Sequence, residues 1–199
     1  MTVIGITGGI ASGKSAFGEQ LRSLLPSATF FDADRAAREM TDRDAEVQEL
    51  IRRTFGQNIY SPDGHLNRRE LRAIVFADPE KKRALEHILH PRIRRQWALE
   101  AERRRNSTEI FFADIPLLYE TGGEALCGRV VVVACSPQVQ LARLVARSPL
   151  PTGAAEQMIA AQMPLIEKIS RADHVVWNNG PLAMLAAQAK TLAAFWSRS

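Results

Sequence analysis

Residues 3–15 read Val3-Ile4-Gly5-Ile6-Thr7-Gly8-Gly9-Ile10-Ala11-Ser12-Gly13-Lys14-Ser15. An apolar run leads directly into Gly-x-x-x-x-Gly-Lys-Ser, the pattern of a phosphate-binding P-loop. Each residue type in it has a physical task. Gly8, Gly9 and Gly13 are expected to supply positive φ and to bring bare backbone close to a ligand. Successive N–H groups then form an anion nest, and a helix opening near Lys14 adds the partial positive charge of its N-terminus. Lys14 reaches for the β- and γ-phosphates of a nucleotide, and the Ser15 hydroxyl is offered to Mg²⁺. The nucleotide cradle is therefore expected over Gly9, Ile10, Ala11, Ser12, Gly13, Lys14, Ser15 and Ala16.

Outward from this loop, short apolar segments alternate with helical ones. Strands are expected at Thr2–Ile6, Ala28–Phe31, Glu109–Ala113, Arg129–Ala134 and His174–Trp177. Helices are expected at Lys14–Leu25, Pro137–Arg147, Ala154–Met163, Pro164–Arg171 and Pro181–Trp196. That alternation implies an α/β fold: a P-loop-type parallel sheet flanked by helices. Between the second and third strands everything reads as helix: Arg35–Met40, Asp44–Phe55, Arg68–Phe76, Pro79–Leu89 and Ile93–Arg105, with a break or kink at His90-Pro91. A βα connection normally takes far fewer residues, so an inserted helical subdomain is expected there. The core is expected over 1–34, 107–136 and 172–199, the helical insertion over 35–106, and a short lid over 137–171.

Ligands of such sheets lie beyond the carboxyl ends of the strands. Besides the loop, chain order puts Asp32 and Asp34, Asp114, and Asn178-Asn179-Gly180 there. In an extended segment Asp32 and Asp34 would face one side. One would accept the proton of an attacking hydroxyl and the other would hold Mg²⁺. Helix capping by Asp34 is an alternative. Asp114 closes an apolar strand, where a metal-linked carboxylate belongs, or it marks a plain strand-end turn followed by a solvated Glu120. Arg143 and Arg147 share a helix face and are expected either to close over a nucleotide or to form ordinary charged surface, and the same two readings hold for Lys168. The arginines at 92, 94, 95, 103, 104 and 105 are either a solvated helix face or a contact for an anionic substrate.

The net charge of +4 and pI near 9.4 suit polyanionic ligands without choosing among them. The chain of 199 residues has 46% hydrophobic and 24% charged residues, ordinary for a globular protein. No apolar run approaches the roughly 18 residues needed to span a bilayer, and no leader precedes the loop, so a cytoplasmic location without a membrane partner is expected. Cys127 and Cys135 have no metal-type spacing and are expected to be buried free thiols. Trp97 alone accompanies the arginines, so no stacking ladder for nucleic acid is expected.

Taken from end to end, the chain resembles the dephospho-CoA kinase family. The resemblance is carried by Gly5–Ser15, by Asp32-Ala33-Asp34 with Ala37-Arg38, and by Phe55-Gly56, Asp63-Gly64, Leu66, Arg68, Leu71 and Phe76. It continues through His90-Pro91, Asp114–Glu120, Gln140, Arg143, Arg147, Gln162, Lys168, Ala172-Asp173 and Asn178-Asn179-Gly180. It implies ATP-dependent phosphorylation of the ribose 3′-hydroxyl of dephospho-CoA, with Mg²⁺, by a monomer or small homo-oligomer. It further implies Asp34 as general base, with Lys14 and Arg143 stabilising the transferring group and Arg147 assisting. Asp32 and Ser15 would hold the metal. Arg68, His90 and Leu118 would meet the acceptor, and Asn178 and Gly180 would lie near the adenine. The chain departs from the family pattern at Ala11, usually Gly, and in the run Ser148-Pro149-Leu150-Pro151. Ala11 is expected either to sit at negative φ or to accept strain.

Overall fold

In the computed structural model, which describes residues 3–104, 107, 109–147 and 151–198, all six residues of β1 (Val3–Gly8) are buried. Four further strands complete the sheet: β2 (Thr29–Asp32), β3 (Phe111–Asp114), β4 (Arg129–Ala134) and β5 (His174–Trp177). Their order is β2-β3-β1-β4-β5. β1 runs parallel to both β3 and β4, and β4 runs parallel to β5. Because β1 is central and flanked by later strands on both sides, the strand order reverses beside it. The crevice of an open parallel sheet lies at that reversal, just past the last residue of β1.

The chain forms two units, residues 1–31 with 101–199, and residues 32–100. In the first, Val131 and Val133 of β4 and Ile4 and Ile6 of β1 meet α1 (Lys14–Leu24) and α9 (Leu182–Trp196) through Phe17, Leu21, Leu185 and Trp196. Phe112 anchors one end of this core, stacked on Phe30 at 4.7 Å and edge-on to Trp196 at 5.6 Å. This unit also holds α6 (Pro137–Arg147), α7 (Thr152–Ala160) and α8 (Leu165–Ser170). The departure at Ser148-Pro149-Leu150 lies outside the described residues.

The second unit is helical: α2 (Ala33–Arg43), α3 (Ala45–Phe55), α4 (Arg68–Ala77) and most of α5 (Pro79–Arg103). Its helix starts are chemically specified. Asp44 accepts from the N–H groups of Glu46 and Val47, and Asn67 and Glu70 form a reciprocal capping pair. Val47, Ile51, Ile59, Leu71 and Ile88 form its own core, within which the Tyr60 hydroxyl donates to the Thr41 carbonyl at 2.9 Å.

Of the break or kink expected at His90-Pro91, the break does not occur; α5 runs through Pro91 without interruption. Proline removes one backbone donor and crowds the preceding turn. The carbonyl that loses this donor is that of His87; the next carbonyl, of Ile88, accepts from the Arg92 guanidinium at 2.9 Å. The segment after β2 is also not extended: helix begins at Ala33.

Candidate active site

The loop after β1 is built by steric exclusion as much as by backbone freedom. Gly8 and Gly9 do not adopt positive φ; among the loop glycines only Gly13 does, at φ 95°. A Cβ on Gly8 would lie 2.4 Å from the Val133 carbonyl oxygen of β4, and one on Gly9 would lie 2.6 Å from Gln140 Nε2. These two glycines therefore admit neighbours. Ala11 takes the strained alternative, at φ 59°. Helix α1 opens right after Gly13, and Phe17 N–H is the donor that meets the Gly13 carbonyl. The N–H groups of Lys14, Ser15 and Ala16 lie in the first turn, ahead of any intrahelical acceptor. With the left-handed Gly13 they form a cradle of donors suited to phosphate.

Ser12 ties this cradle to two other segments. Its carbonyl accepts from Asn178 Nδ2 at 2.9 Å and from Arg143 Nη1 at 3.5 Å. The amide of Asn178 is thus engaged by the loop itself, and it stands only 2.0 Å from where a Cβ on Gly13 would be. Neighbouring Asn179 accepts from Ser136 N–H at 2.7 Å, which fixes the turn that ends in Gly180. Ser12 Oγ is buried with no hydrogen-bond partner, a polar atom in need of one.

Lys14 Nζ pairs with Asp114 Oδ1, both side chains being largely buried. Asp114 reaches this position because Ile6 of β1 is in register with it, one residue before Thr7. Thr7 Oγ1 donates to the Pro116 carbonyl at 3.0 Å, fixing the turn after β3 beside the loop. The exposed Ser15 hydroxyl and the Asp114 carboxylate are oxygen donors of the kind Mg²⁺ takes. Among the described residues no three His, Cys, Asp or Glu side chains cluster as a metal site.

The two aspartates after β2 separate in role. Asp32 is the N-cap of α2, its Oδ1 accepting from Arg35 N–H at 2.9 Å. Asp34, which the sequence offered as a possible cap, is the second residue of the helix, in its first turn, with its side chain exposed. They do not share the face of an extended segment, because Asp34 is already helical. In the same unit Arg68 Nη2 donates to Asp42 Oδ1 at 2.8 Å and to Thr41 Oγ1 at 3.1 Å. Arg38, Arg68, Leu71 and Arg72 line a cavity of about 290 Å³. His90 is half-buried on α5, and that burial pushes its imidazole pKa below the ordinary value. Arg147 is exposed in the last turn of α6.

Leu118 requires a correction. It is fully buried, and its Cδ2 lies 2.7 Å from where a Cβ on Gly5 would be, so it packs beneath β1 rather than facing a ligand. Lys168 is neither charged surface nor a group poised over a nucleotide. It is fully buried, donating to the Pro116 carbonyl at 3.0 Å and to Glu120 Oε1 at 2.8 Å. Glu120 also accepts from Met163 N–H at 3.0 Å, so it is not the solvated Glu of a bare turn. Lys168 sits one turn after Leu165 on the same helical face, and that spacing was the available signal for its burial. The two cysteines are free thiols, as expected, and burial, reinforced by Glu124, pushes the Cys127 thiol up to about 12. That favours the protonated thiol over the more nucleophilic thiolate.

The sequence profile of the dephospho-CoA kinase family (CoaE) matches residues 2–183. The chain is 44% identical over 189 residues to a dephospho-CoA kinase of Symbiobacterium thermophilum, covering 94% of this chain and 78% of that protein. It is 45% identical over 197 residues to one of Anaeromyxobacter dehalogenans, covering 98% and 92%. The solved dephospho-CoA kinase of Campylobacter jejuni superposes with a TM-score of 0.74 at 27% identity, over 98% of this chain and 97% of that one.

Proposed function

Because the chain belongs to the dephospho-CoA kinase family, we propose that it transfers the γ-phosphoryl group of ATP to the ribose 3′-hydroxyl of dephospho-CoA, giving coenzyme A and ADP. The observation that carries this reading is the donor cradle at the start of α1, with Lys14 held beside it on Asp114. The pair supplies a positive charge that nucleotide phosphates can recruit, and Asp114 becomes available as Lys14 turns to them.

In the reaction the acceptor oxygen forms a bond to the γ-phosphorus as the bond to the β,γ-bridging oxygen breaks, and ADP leaves. The acceptor proton passes to the carboxylate of Asp34, whose exposure in the first turn of α2 leaves it open to an incoming hydroxyl. Lys14 and Arg143, both at the loop, offset charge that builds on the transferring group, and Arg147 assists from the same helix face. Mg²⁺, when bound, would neutralise phosphate charge, and Ser15 and Asp32 are the candidate residues to hold it. Asn178 and Gly180 lie toward the adenine. The acceptor's pyrophosphate suits the arginines of the 290 Å³ cavity, Arg68 among them. His90 is a further acceptor contact on the family resemblance alone. On this reading 1–34, 107–136 and 172–199 are the nucleotide core, 35–106 binds the acceptor, and 137–171 is the lid. Closure of that lid excludes water and limits ATP hydrolysis. ATP as donor suits a cytoplasmic enzyme. Among the described residues no helix is long and apolar enough to cross a membrane.

The test is ADP release with and without dephospho-CoA, for the wild type and for Asp34→Asn. Stimulation by dephospho-CoA but not by nucleosides is expected. The variant should keep its nucleotide affinity and lose at least about a hundredfold in kcat, the low end for a general base. Wild-type turnover in Asp34→Asn would remove Asp34 from that role.

A further inference from the structure

The phosphate loop contains a β-turn whose form is held from outside. Ser12 N–H donates to the Gly9 carbonyl at 3.1 Å, making Ile10 and Ala11 the central residues. Ile10 is not among the positive-φ residues, whereas Ala11 has φ 59°. This sign pattern is that of a type II turn, in which the third position favours glycine. Alanine there prefers the type I form, reached by flipping the single peptide between Ile10 and Ala11.

That peptide is gripped. The Ile10 carbonyl accepts from Gln140 Nε2 at 2.9 Å, and Ile10 N–H, in the preceding peptide, donates to Gln162 Oε1 at 2.9 Å. Gln140 belongs to α6 and is buried; Gln162 lies between α7 and α8. Only a bare Gly9 leaves room for the Gln140 amide. In a trans peptide the N–H points opposite to the carbonyl. Holding the Ile10 carbonyl toward Gln140 therefore also fixes the direction of Ala11 N–H.

We propose that Gln140 and Gln162 are positioning residues of the phosphate loop, holding the Gly9–Ser12 turn in its type II form, and that Ala11 makes this chain depend on them. With glycine at position 11 the turn would keep its form unaided. With alanine the form rests on two side-chain amides from helices α6 to α8. Nucleotide affinity is thereby linked to where those helices sit.

The inference rests on the reading of this loop as the ATP site, and its test keeps the two apart by measuring nucleotide binding directly. A fluorescent ADP analogue is titrated into wild type, Gln140→Glu, Ala11→Gly and the double variant, with KM for each substrate and kcat measured alongside. Gln140→Glu preserves side-chain size but removes the donor. Its affinity should fall about tenfold, the scale of one hydrogen bond to a buried group, with KM for dephospho-CoA at saturating ATP unchanged. In the Ala11→Gly background the same change should cost less than about threefold by the same conversion. Gln162→Glu keeps its acceptor and should bind like wild type, whereas Gln162→Leu should not, so the proposal stands or falls on this pair even if Gln140→Glu does not fold. Equal losses with and without Ala11→Gly, or equal behaviour of the two Gln162 variants, would overturn it. Absence of nucleotide binding by the wild type would instead defeat the functional reading.

Discussion

Lys168→Met removes a fully buried charge while nearly preserving side-chain length. The ammonium bridges two parts of the turn after β3, the Pro116 carbonyl at 3.0 Å and Glu120 Oε1 at 2.8 Å. Breaking a fully buried ion pair by deleting one partner costs about 3–5 kcal/mol. Two features reduce that here. The Glu120 side chain is 21% exposed and keeps its bond from Met163 N–H, and the Pro116 carbonyl keeps its bond from Thr7. A loss of about 2–3 kcal/mol remains, the desolvation cost of a carboxylate left partly unpaired plus one lost charge-assisted hydrogen bond. For a chain of this size that corresponds to a fall of roughly 5–10 °C in melting temperature. Calorimetry or thermal circular dichroism reads it directly. Combining Lys168→Met with Glu120→Leu should recover at least about 1 kcal/mol relative to the sum of the single losses, since no unpaired charge then remains. A single variant melting within about 2 °C of wild type, or strict additivity, would refute the reasoning.

Two further changes probe the loop and the helical unit. Gly8→Ala drives a methyl group against the Val133 carbonyl and should cost about 3 kcal/mol and abolish binding of a fluorescent ADP analogue. Gly64→Ala, at φ 81° with open space around it, should cost only about 1 kcal/mol and leave binding intact; similar melting of the two variants would contradict the steric account. His90 has a lowered pKa in the folded chain, so between that value and 6.5 the unfolded chain binds more protons and stability falls as the pH drops through the window. Because His90 is only half-buried, the loss should be below about 1 kcal/mol. Urea titrations at pH 7.5 and 5.5 should show wild type losing more stability than His90→Gln on acidification; an equal loss in both would exclude the histidine.

The sequence determined the things that depend on near neighbours along the chain. The apolar run before Gly8 specifies a buried strand, Lys14–Ser15 after Gly13 specifies a helix start, and the alternation of such segments specifies a parallel sheet. Strand β4, helix α6 and strand β5 fall on the same residues in the sequence reading and in the structure. Readings that weighed a local signal against long-range packing went astray. Pro91 reads as a break or a kink, and the helix does not break there. Asp32, not Asp34, caps α2, because the helix begins two residues before the sequence suggests.

Only tertiary structure assigned the side chains that act across the sheet. Lys14 meets Asp114, one hundred residues away, through the register of β1 with β3. Lys168 is buried and Leu118 is a packing residue because both meet the turn and strand beside the loop. Gly8 and Gly9 are glycine because a carbonyl and an amide from β4 and α6 come within contact distance, which no local pattern encodes. The strand-to-helix loop is thus legible from residues 3–15 themselves. What holds that loop in shape comes from residues more than a hundred positions away, since hydrogen bonds and excluded volume depend on distance in space and not on order along the chain.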